Sequence, residues 1–231
     1  MTRLRTLLSL ALLIALTACL PSRGQDAPEI VRGVIGGQEY FVPRAYLKLP
    51  GLGLAEQNIY VLAFYPDFRP AWDSHNAIWR EGKWKYNVMI LASYAKVPVT
   101  LKTHLDIATG LNDATEFVGI EYGLHHYTQP KDKVQDHRDI WVETEHANLD
   151  RPDSYVHCSK PITENSVPQC RMEFVWNRHF LVGASFNREL LPHWRSIKDS
   201  TDALLNSFRA EDTAIAYFRE HAAYDTKGVV P

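Results

Sequence analysis

The sequence lacks most of the features from which composition alone could indicate a function. Only three of its 231 residues are cysteine, which excludes a disulfide-rich scaffold. The 25 lysines and arginines nearly balance 27 acidic residues, and a net charge of −2 leaves no basic field for nucleic acid. There is no internal repeat, and no apolar run reaches the ~20 residues of a membrane-spanning helix. The remainder, 45% hydrophobic and 23% charged, is typical of a folded globular protein.

The N-terminus has the pattern of a bacterial export signal. Arg3 and Arg5 precede an apolar stretch over residues 7–16 that is too short to span a membrane but fits the centre of a signal peptide. The stretch ends in the residues Leu-Thr-Ala-Cys at 16–19, which resemble the lipobox of bacterial lipoproteins. The alternative is an ordinary secretory signal in which Cys19 is incidental.

The lipobox resemblance implies that the chain is cut before Cys19 and that the Cys19 thiol is acylated. Leu20, rather than aspartate, follows the cysteine, which implies the periplasmic face of the outer membrane. Several acyl chains at one N-terminus are enough for stable attachment to a membrane. We therefore expect a signal peptide over residues 1–18, a lipidated tether over 19–29 and a single periplasmic domain over 30–231.

The two remaining cysteines, Cys158 and Cys170, flank a short polar segment that contains two prolines. In an oxidising compartment such a close pair predicts a disulfide. The alternative, a metal-binding pair, lacks the second Cys or His pair that a zinc site needs. No cysteine is then left as a free thiol.

The apolar pattern predicts many strands followed by one good helix. Gly36-Gly37 indicates a hairpin, and β-rich runs predict further strands over residues 58–65, 85–94, 100–106, 117–127, 139–145, 155–158, 171–176 and 180–186. From residue 193 to 208 the apolar period becomes helical, with Asn187 as a cap, and a weaker helix follows over 211–222. We expect an α+β domain: a mostly antiparallel sheet with a C-terminal amphipathic helix packed against it.

No set of catalytic residues can be assembled from the sequence. Ser185 lies in a strand pattern that lacks the second glycine of a nucleophile elbow. Glu143 and Glu145 share a strand face, as glycosidase acids do, but exposed strands carry such pairs by chance. The histidines, adjacent His125 and His126 among them, lack metal-ligand spacing. We expect no catalytic residue, no metal and no cofactor, and hence a protein that is not an enzyme.

Two segments are candidate binding surfaces. Trp72, Trp79 and Trp84 lie in a long, irregular, charged segment, and large aromatic residues are enriched at protein interfaces. The alternative is that they fold back over one face of the sheet. The charged loop over residues 131–138, with Lys131, Lys133 and Arg138, is a second candidate that could steer a charged partner.

Parts of the chain resemble the periplasmic immunity lipoproteins encoded beside type VI secretion effectors. The resemblance rests on the residues VIGGQEYFVPRAYL at 34–47, YVLAFYPDFRP at 60–70, and the run from Cys158 and Cys170 to Phe208. It implies that the domain binds a cognate secreted effector, of phospholipase type or another envelope-targeting toxin, and blocks it directly. Two alternatives remain open: a structural or assembly lipoprotein of the envelope, and a lipid- or glycan-directed enzyme that uses Ser185 or Glu143.

Overall fold

The computed structural model describes residues 27–47, 53–71, 83–110, 115–128, 138–144, 149–160 and 167–222. The predicted signal peptide, the lipidation site Cys19 and most of the tether lie outside these residues. No helix within the described ranges is long and apolar enough to cross a membrane.

The domain begins with an antiparallel hairpin of strands β1 (Ile30–Ile35) and β2 (Gln38–Pro43). Gly36 and Gly37 connect the strands with φ angles of 60° and 82°, a backbone conformation that favours glycine. The hairpin predicted at this glycine pair is therefore confirmed. A 3-10 turn, Arg44–Tyr46, follows β2 directly.

The remaining strands form a ten-stranded sheet in which every pair is antiparallel. Its path runs β3-β4-β6-β12-β11-β10-β9-β8-β7, with β5 paired to β4. The strands are β3 (Leu54–Ala55), β4 (Asn58–Phe64), β5 (Arg69–Pro70), β6 (Asn87–Tyr94), β7 (Glu116–Glu121), β8 (Leu124–Thr128), β9 (Arg138–Glu143), β10 (Ser154–Ser159), β11 (Gln169–Trp176) and β12 (Phe180–Asn187).

One face of this sheet, here called the α2 face, carries the main core. Helix α2 (Trp194–Ser207), helix α3 (Glu211–Ala222) and the β1–β2 hairpin cover it. The apolar residues of α2 recur at helical spacing, so one stripe of the helix is buried. The buried residues of α2 include Trp194, Ile197, Leu204 and Leu205. The predicted α+β architecture with a C-terminal helix on an antiparallel sheet is confirmed.

The opposite face, here called the α1 face, is covered in part by helix α1 (Leu101–Thr109). The strand predicted over residues 100–106 is therefore wrong. Leu101 and Leu105 are four positions apart, so on a helix both side chains reach the same face and both are buried. They pack in one cluster with Ile140, Val142 and Tyr155 of the sheet.

Two smaller predictions also need correction. The single strand predicted over residues 117–127 is two strands, β7 and β8, because the chain reverses at Tyr122-Gly123. Asn187 does not cap α2 itself: its side-chain oxygen accepts a hydrogen bond from the Glu189 amide at 2.9 Å, at the start of the 3-10 turn Arg188–His193. That turn then leads directly into α2.

Candidate partner-binding surface

Cys158 and Cys170 form a disulfide between β10 and β11, as the sequence predicts. The two residues are direct partners in the antiparallel register, with their Cα atoms 4.0 Å apart. Both are buried in the core of the α2 face. The disulfide therefore fixes the register of two central strands and presents nothing to a partner.

Most of the predicted interface residues lie outside the part of the chain that the structure describes. Trp72, Trp79, Lys131 and Lys133 lie outside the described residues, and of Trp84 only the backbone is described, in the 3-10 turn Lys83–Tyr86. Their part in binding stays a prediction.

Arg138, the last member of the predicted charged loop, is the first residue of β9. Its Nη1 donates a hydrogen bond to the carbonyl oxygen of Ala108 at 2.9 Å and lies 3.5 Å from Nδ1 of His157. A cation that bonds the last carbonyl groups of a helix stabilises that end. Arg138 therefore holds the C-terminal end of α1 against the sheet, and its contact with a partner stays a prediction.

The described structure instead exposes apolar side chains on β7, the strand at one end of the sheet. Half of the large hydrophobic side chains exposed in the described residues lie on this strand or in the turn after it: Phe117 is 57% exposed, Val118 56%, Ile120 70% and Tyr122 44%. We call these four residues the β7 surface. Contiguous exposed apolar side chains are uncommon on soluble monomers and mark interaction sites.

The strand also lacks the lysine and proline residues that often protect an edge strand from pairing with another chain. Its residues EFVGIE include no lysine, arginine or proline, and within the described residues it pairs only with β8. The opposite edge differs, because β3 and β5 have two residues each and β5 contains Arg69 and Pro70. The two ends of the sheet are therefore built differently, and of the two edges, as far as the described residues go, β7 is the longer and more apolar.

A β-bulge shapes this edge. The pairing register shifts between Phe117 and Gly119, which leaves Val118 as the extra residue. Gly119 has a φ of 150°, a conformation that side chains disfavour. The Phe117 ring packs 5.5 Å from the Tyr127 ring and 6.0 Å from that of His125, centre to centre. The bulge thus presents Phe117, Val118 and Ile120 along one short segment.

The turn between β7 and β8 is fastened to the core. Tyr122 and Gly123 both have positive φ angles, 54° and 78°, as a tight two-residue hairpin turn requires. The buried indole of Trp194 in α2 donates a hydrogen bond to the Tyr122 carbonyl at 2.9 Å. The Trp141 indole donates to the Glu121 carboxylate at 3.0 Å. The β7 surface is therefore preorganised, which lowers the entropic cost of binding.

A charged cluster lies behind this turn on the α2 face. The His126 ring stacks on Trp141 with centroids 4.5 Å apart. Asp139 accepts a hydrogen bond from Arg188 at 2.5 Å and lies 3.2 Å from Nζ of Lys160. Burial alone raises the pKa of Asp139, but the hydrogen bonds and charges of Arg188 and Lys160 outweigh it and hold the pKa below its usual range.

Glu143, one of the residues considered for catalysis, has structural partners. Glu143 accepts hydrogen bonds from Lys198 of α2 and, at 2.7 Å, from Ser154. Burial raises the pKa of Glu143, yet these bonds and the charges of Lys198 and Arg195 lower it on balance. Glu143 therefore joins α2 to the sheet as a charged carboxylate. Glu145 lies outside the described residues.

The histidines do not form a metal site in the part of the chain that the structure describes, where no group of three potential ligands is found. His126 faces Trp141 and His125 faces Phe117, so the adjacent rings lie on opposite faces of β8. His137 and His146 lie outside the described residues.

Comparison with known proteins finds a similarity of fold. No protein-family model and no curated protein matches the sequence. Among solved structures, an immunity protein of the Stenotrophomonas maltophilia type IV secretion system superposes with a TM-score of 0.57 at 18% identity, over 76% of this chain and 90% of that chain. The chain thus has a fold like that of a secretion-system immunity protein.

Proposed function

We propose that this chain is an immunity protein, which binds a secreted bacterial effector and neutralises it by direct contact. The observation that carries the proposal is the β7 surface, a rigid, exposed apolar edge on a fold that is shared with a secretion-system immunity protein. The absence of an assembled catalytic set in the sequence agrees with a binding role.

The β7 surface has the character that tight binding needs. An inhibitor of a toxin must bind at nanomolar concentration or below, which corresponds to about −12 kcal/mol. A few central aromatic or large apolar residues supply most of such energy, inside an interface of roughly 800 Å² on each partner. Phe117, Ile120 and Tyr122 are three such residues, held in place by the bulge and by the Trp194 hydrogen bond.

We propose further that Cys19 carries the lipid and that the domain works at the periplasmic face of the outer membrane. The lipobox resemblance supports this placement, and so does the Cys158–Cys170 disulfide, because disulfides persist in oxidising compartments. A Cys19→Ser variant should accumulate as precursor and lose fatty-acid labelling. If Cys19→Ser protein is still labelled and membrane-bound, the proposal that Cys19 carries the lipid is wrong, whereas the proposal that the domain binds an effector is unaffected.

The partner we propose is an envelope-targeting effector, of phospholipase type or another, that a type VI system delivers. The sequence resemblance supports type VI, whereas the structural neighbour belongs to a type IV system. A competition assay separates the two. A strain that lacks this gene should be killed by attackers with an intact type VI system and spared by attackers in which only that system is inactivated.

A complementation series links the killing assay to the surface. Wild-type protein should restore survival of the deletion strain, an Ile120→Asp variant should not, and an Ile107→Asp variant should restore it fully. Ile107 is a matched control because it is 77% exposed on α1 and is not one of the four residues of the β7 surface. If the deletion strain survives attack by every sibling strain, the structural-lipoprotein alternative takes the place of immunity.

A further inference from the structure

A second feature lies on the α1 face, in the half of the sheet beyond α1. A cleft of about 390 Å³ opens over strands β4, β6, β12 and β11. Its lining is both apolar and polar: the apolar part includes Tyr60, Met89 and Leu91, and the polar part includes Asn58, Ser185 and Arg171. The volume falls in the range of small-molecule sites, which are mostly apolar with a few placed polar groups.

Arg171 is placed in this cleft by the register of the strands. It pairs with Ser185 of β12, which in turn pairs with Met89 of β6, so these three residues form one row across the sheet. The Arg171 side chain leaves this row and lies over Gly183 in the neighbouring row. A Cβ at position 183 would overlap the guanidinium. A glycine in a central strand weakens that strand, and here it makes room for the arginine.

Glu173 holds the guanidinium in this position. Its carboxylate is almost fully buried, accepts a hydrogen bond from Nε of Arg171 at 2.6 Å, and accepts another from the hydroxyl of Tyr155. Both oxygens of Glu173 are thus occupied. The terminal nitrogens of Arg171 have no acceptor among the described residues, and its side chain is 36% exposed. The cleft therefore contains preoriented donors beside an apolar wall.

We propose that this cleft binds a carboxylate attached to an apolar group. A guanidinium is the side chain best suited to a planar carboxylate, because its N–H groups match the two oxygens. Ser185, the direct partner of Arg171 in the register, supplies a further hydrogen-bond donor, while Met89 and Leu91 receive the apolar part. Glu173 and Tyr155 act as positioning residues, since they reach the ligand only through Arg171.

Titration of the purified protein with benzoate and hexanoate, followed by amide NMR shifts, tests the site directly. The uncharged controls are benzyl alcohol and hexan-1-ol. We expect saturable shifts at Leu91, Gly183 and Ser185 with a dissociation constant of roughly 1 mM, as ligands of this size allow. Equal binding of the alcohols, or no saturable shift up to ~20 mM acid, would overturn the proposal.

Variants test whether the NMR shifts caused by benzoate depend on Arg171. Arg171→Gln should weaken benzoate binding at least ~10-fold. Because this change leaves the Glu173 carboxylate buried without its partner and can impair folding, the double variant R171Q/E173Q, which is neutral at both positions, is tested beside it. Gly183→Ala should also weaken binding by displacing the guanidinium. Arg178→Gln, in the β11–β12 turn, should leave binding unchanged. Wild-type affinity in R171Q/E173Q would refute the assignment.

Two sources could provide the carboxylate: an acidic residue or C-terminus of the proposed effector, or a free organic acid. If saturating benzoate releases the effector from its complex, the effector supplies the carboxylate. If benzoate and effector bind together, the site serves a free acid. The titration uses this protein alone, so its result stands whether or not the immunity proposal does.

Discussion

Replacement of Ile120 by alanine separates the binding role of the β7 surface from any role in folding. The Ile120 side chain is 70% exposed, so the folded domain buries only a small part of it. Full burial of an isoleucine side chain contributes about 1.5–3 kcal/mol. The Ile120→Ala change should therefore lower the free energy of unfolding by less than about 1 kcal/mol.

The effect on binding should be larger. If a partner covers the remaining exposed part of Ile120, its burial contributes about 1–2 kcal/mol, which is roughly a 5- to 30-fold change in the dissociation constant. The double variant Phe117→Ala/Ile120→Ala should raise the dissociation constant further than Ile120→Ala alone, although the effects of two neighbouring changes do not simply add. Central anchor residues can cost more when truncated, because the partner's pocket is left unfilled.

Calorimetric titration of the effector with the two alanine variants Ile120→Ala and Ile107→Ala gives the comparison. Urea midpoints should be nearly the same for both, and only Ile120→Ala should weaken the complex. The reasoning fails if Ile120→Ala binds with wild-type affinity, or if Ile107→Ala weakens the complex as much.

Three further predictions concern the structure behind this surface. Reduction of the Cys158–Cys170 disulfide should lower the free energy of unfolding by about 3 kcal/mol, because the disulfide closes a segment with a sequence separation of 12. The urea midpoint of a Cys158→Ala/Cys170→Ala variant should be at least as low as that of reduced wild type, because the variant also loses two buried sulfur atoms. The free energy of unfolding should fall in acid, because the pKa of Asp139 is lower in the folded protein than in the unfolded chain. The contribution of Asp139 is present above about pH 4 and is lost as the pH drops through its pKa in the folded protein. An Asp139→Asn variant should therefore flatten the pH dependence of the urea midpoint. A Trp194→Phe variant removes the hydrogen-bond donor to the Tyr122 carbonyl and should lower the free energy of unfolding by about 1–2 kcal/mol. Amide hydrogen exchange at the β7–β8 turn should become faster. Unchanged exchange there would show that the bond does not hold the turn.

Local pattern was enough to predict most of the elements. The strands of the α2 face could be read because apolar residues alternate along them, as in β12, where Phe180, Val182, Ala184 and Phe186 are all buried. The sequence pattern does not predict helix α1, since Leu101 and Leu105 are its only buried positions among the side chains that the structure describes, and the polar residues between them resemble an exposed strand. Two apolar residues do not distinguish a short helix from a strand.

The candidate surfaces depend on long-range pairing, which local pattern does not contain. Whether Phe117 and Ile120 are buried or exposed follows from the place of β7 at the end of the sheet, and β7 lies there because β8 pairs with β9 on its other side. The available signal was the residues EFVGIE, an apolar strand with no protective lysine or proline. The Arg171–Gly183 approach likewise requires the register of β11 with β12.

The central claim is neutralisation by direct contact through the β7 surface, and a stoichiometric inhibition assay tests it most directly. The activity of the purified effector that we propose as the partner is measured while the purified protein is added. If the protein confers immunity in this way, effector activity should fall linearly to zero at one equivalent of wild type or of Ile107→Asp. With Ile120→Asp, a large excess should be needed for the same inhibition. Full effector activity at micromolar wild-type protein, or inhibition by Ile120→Asp at one equivalent, would contradict it.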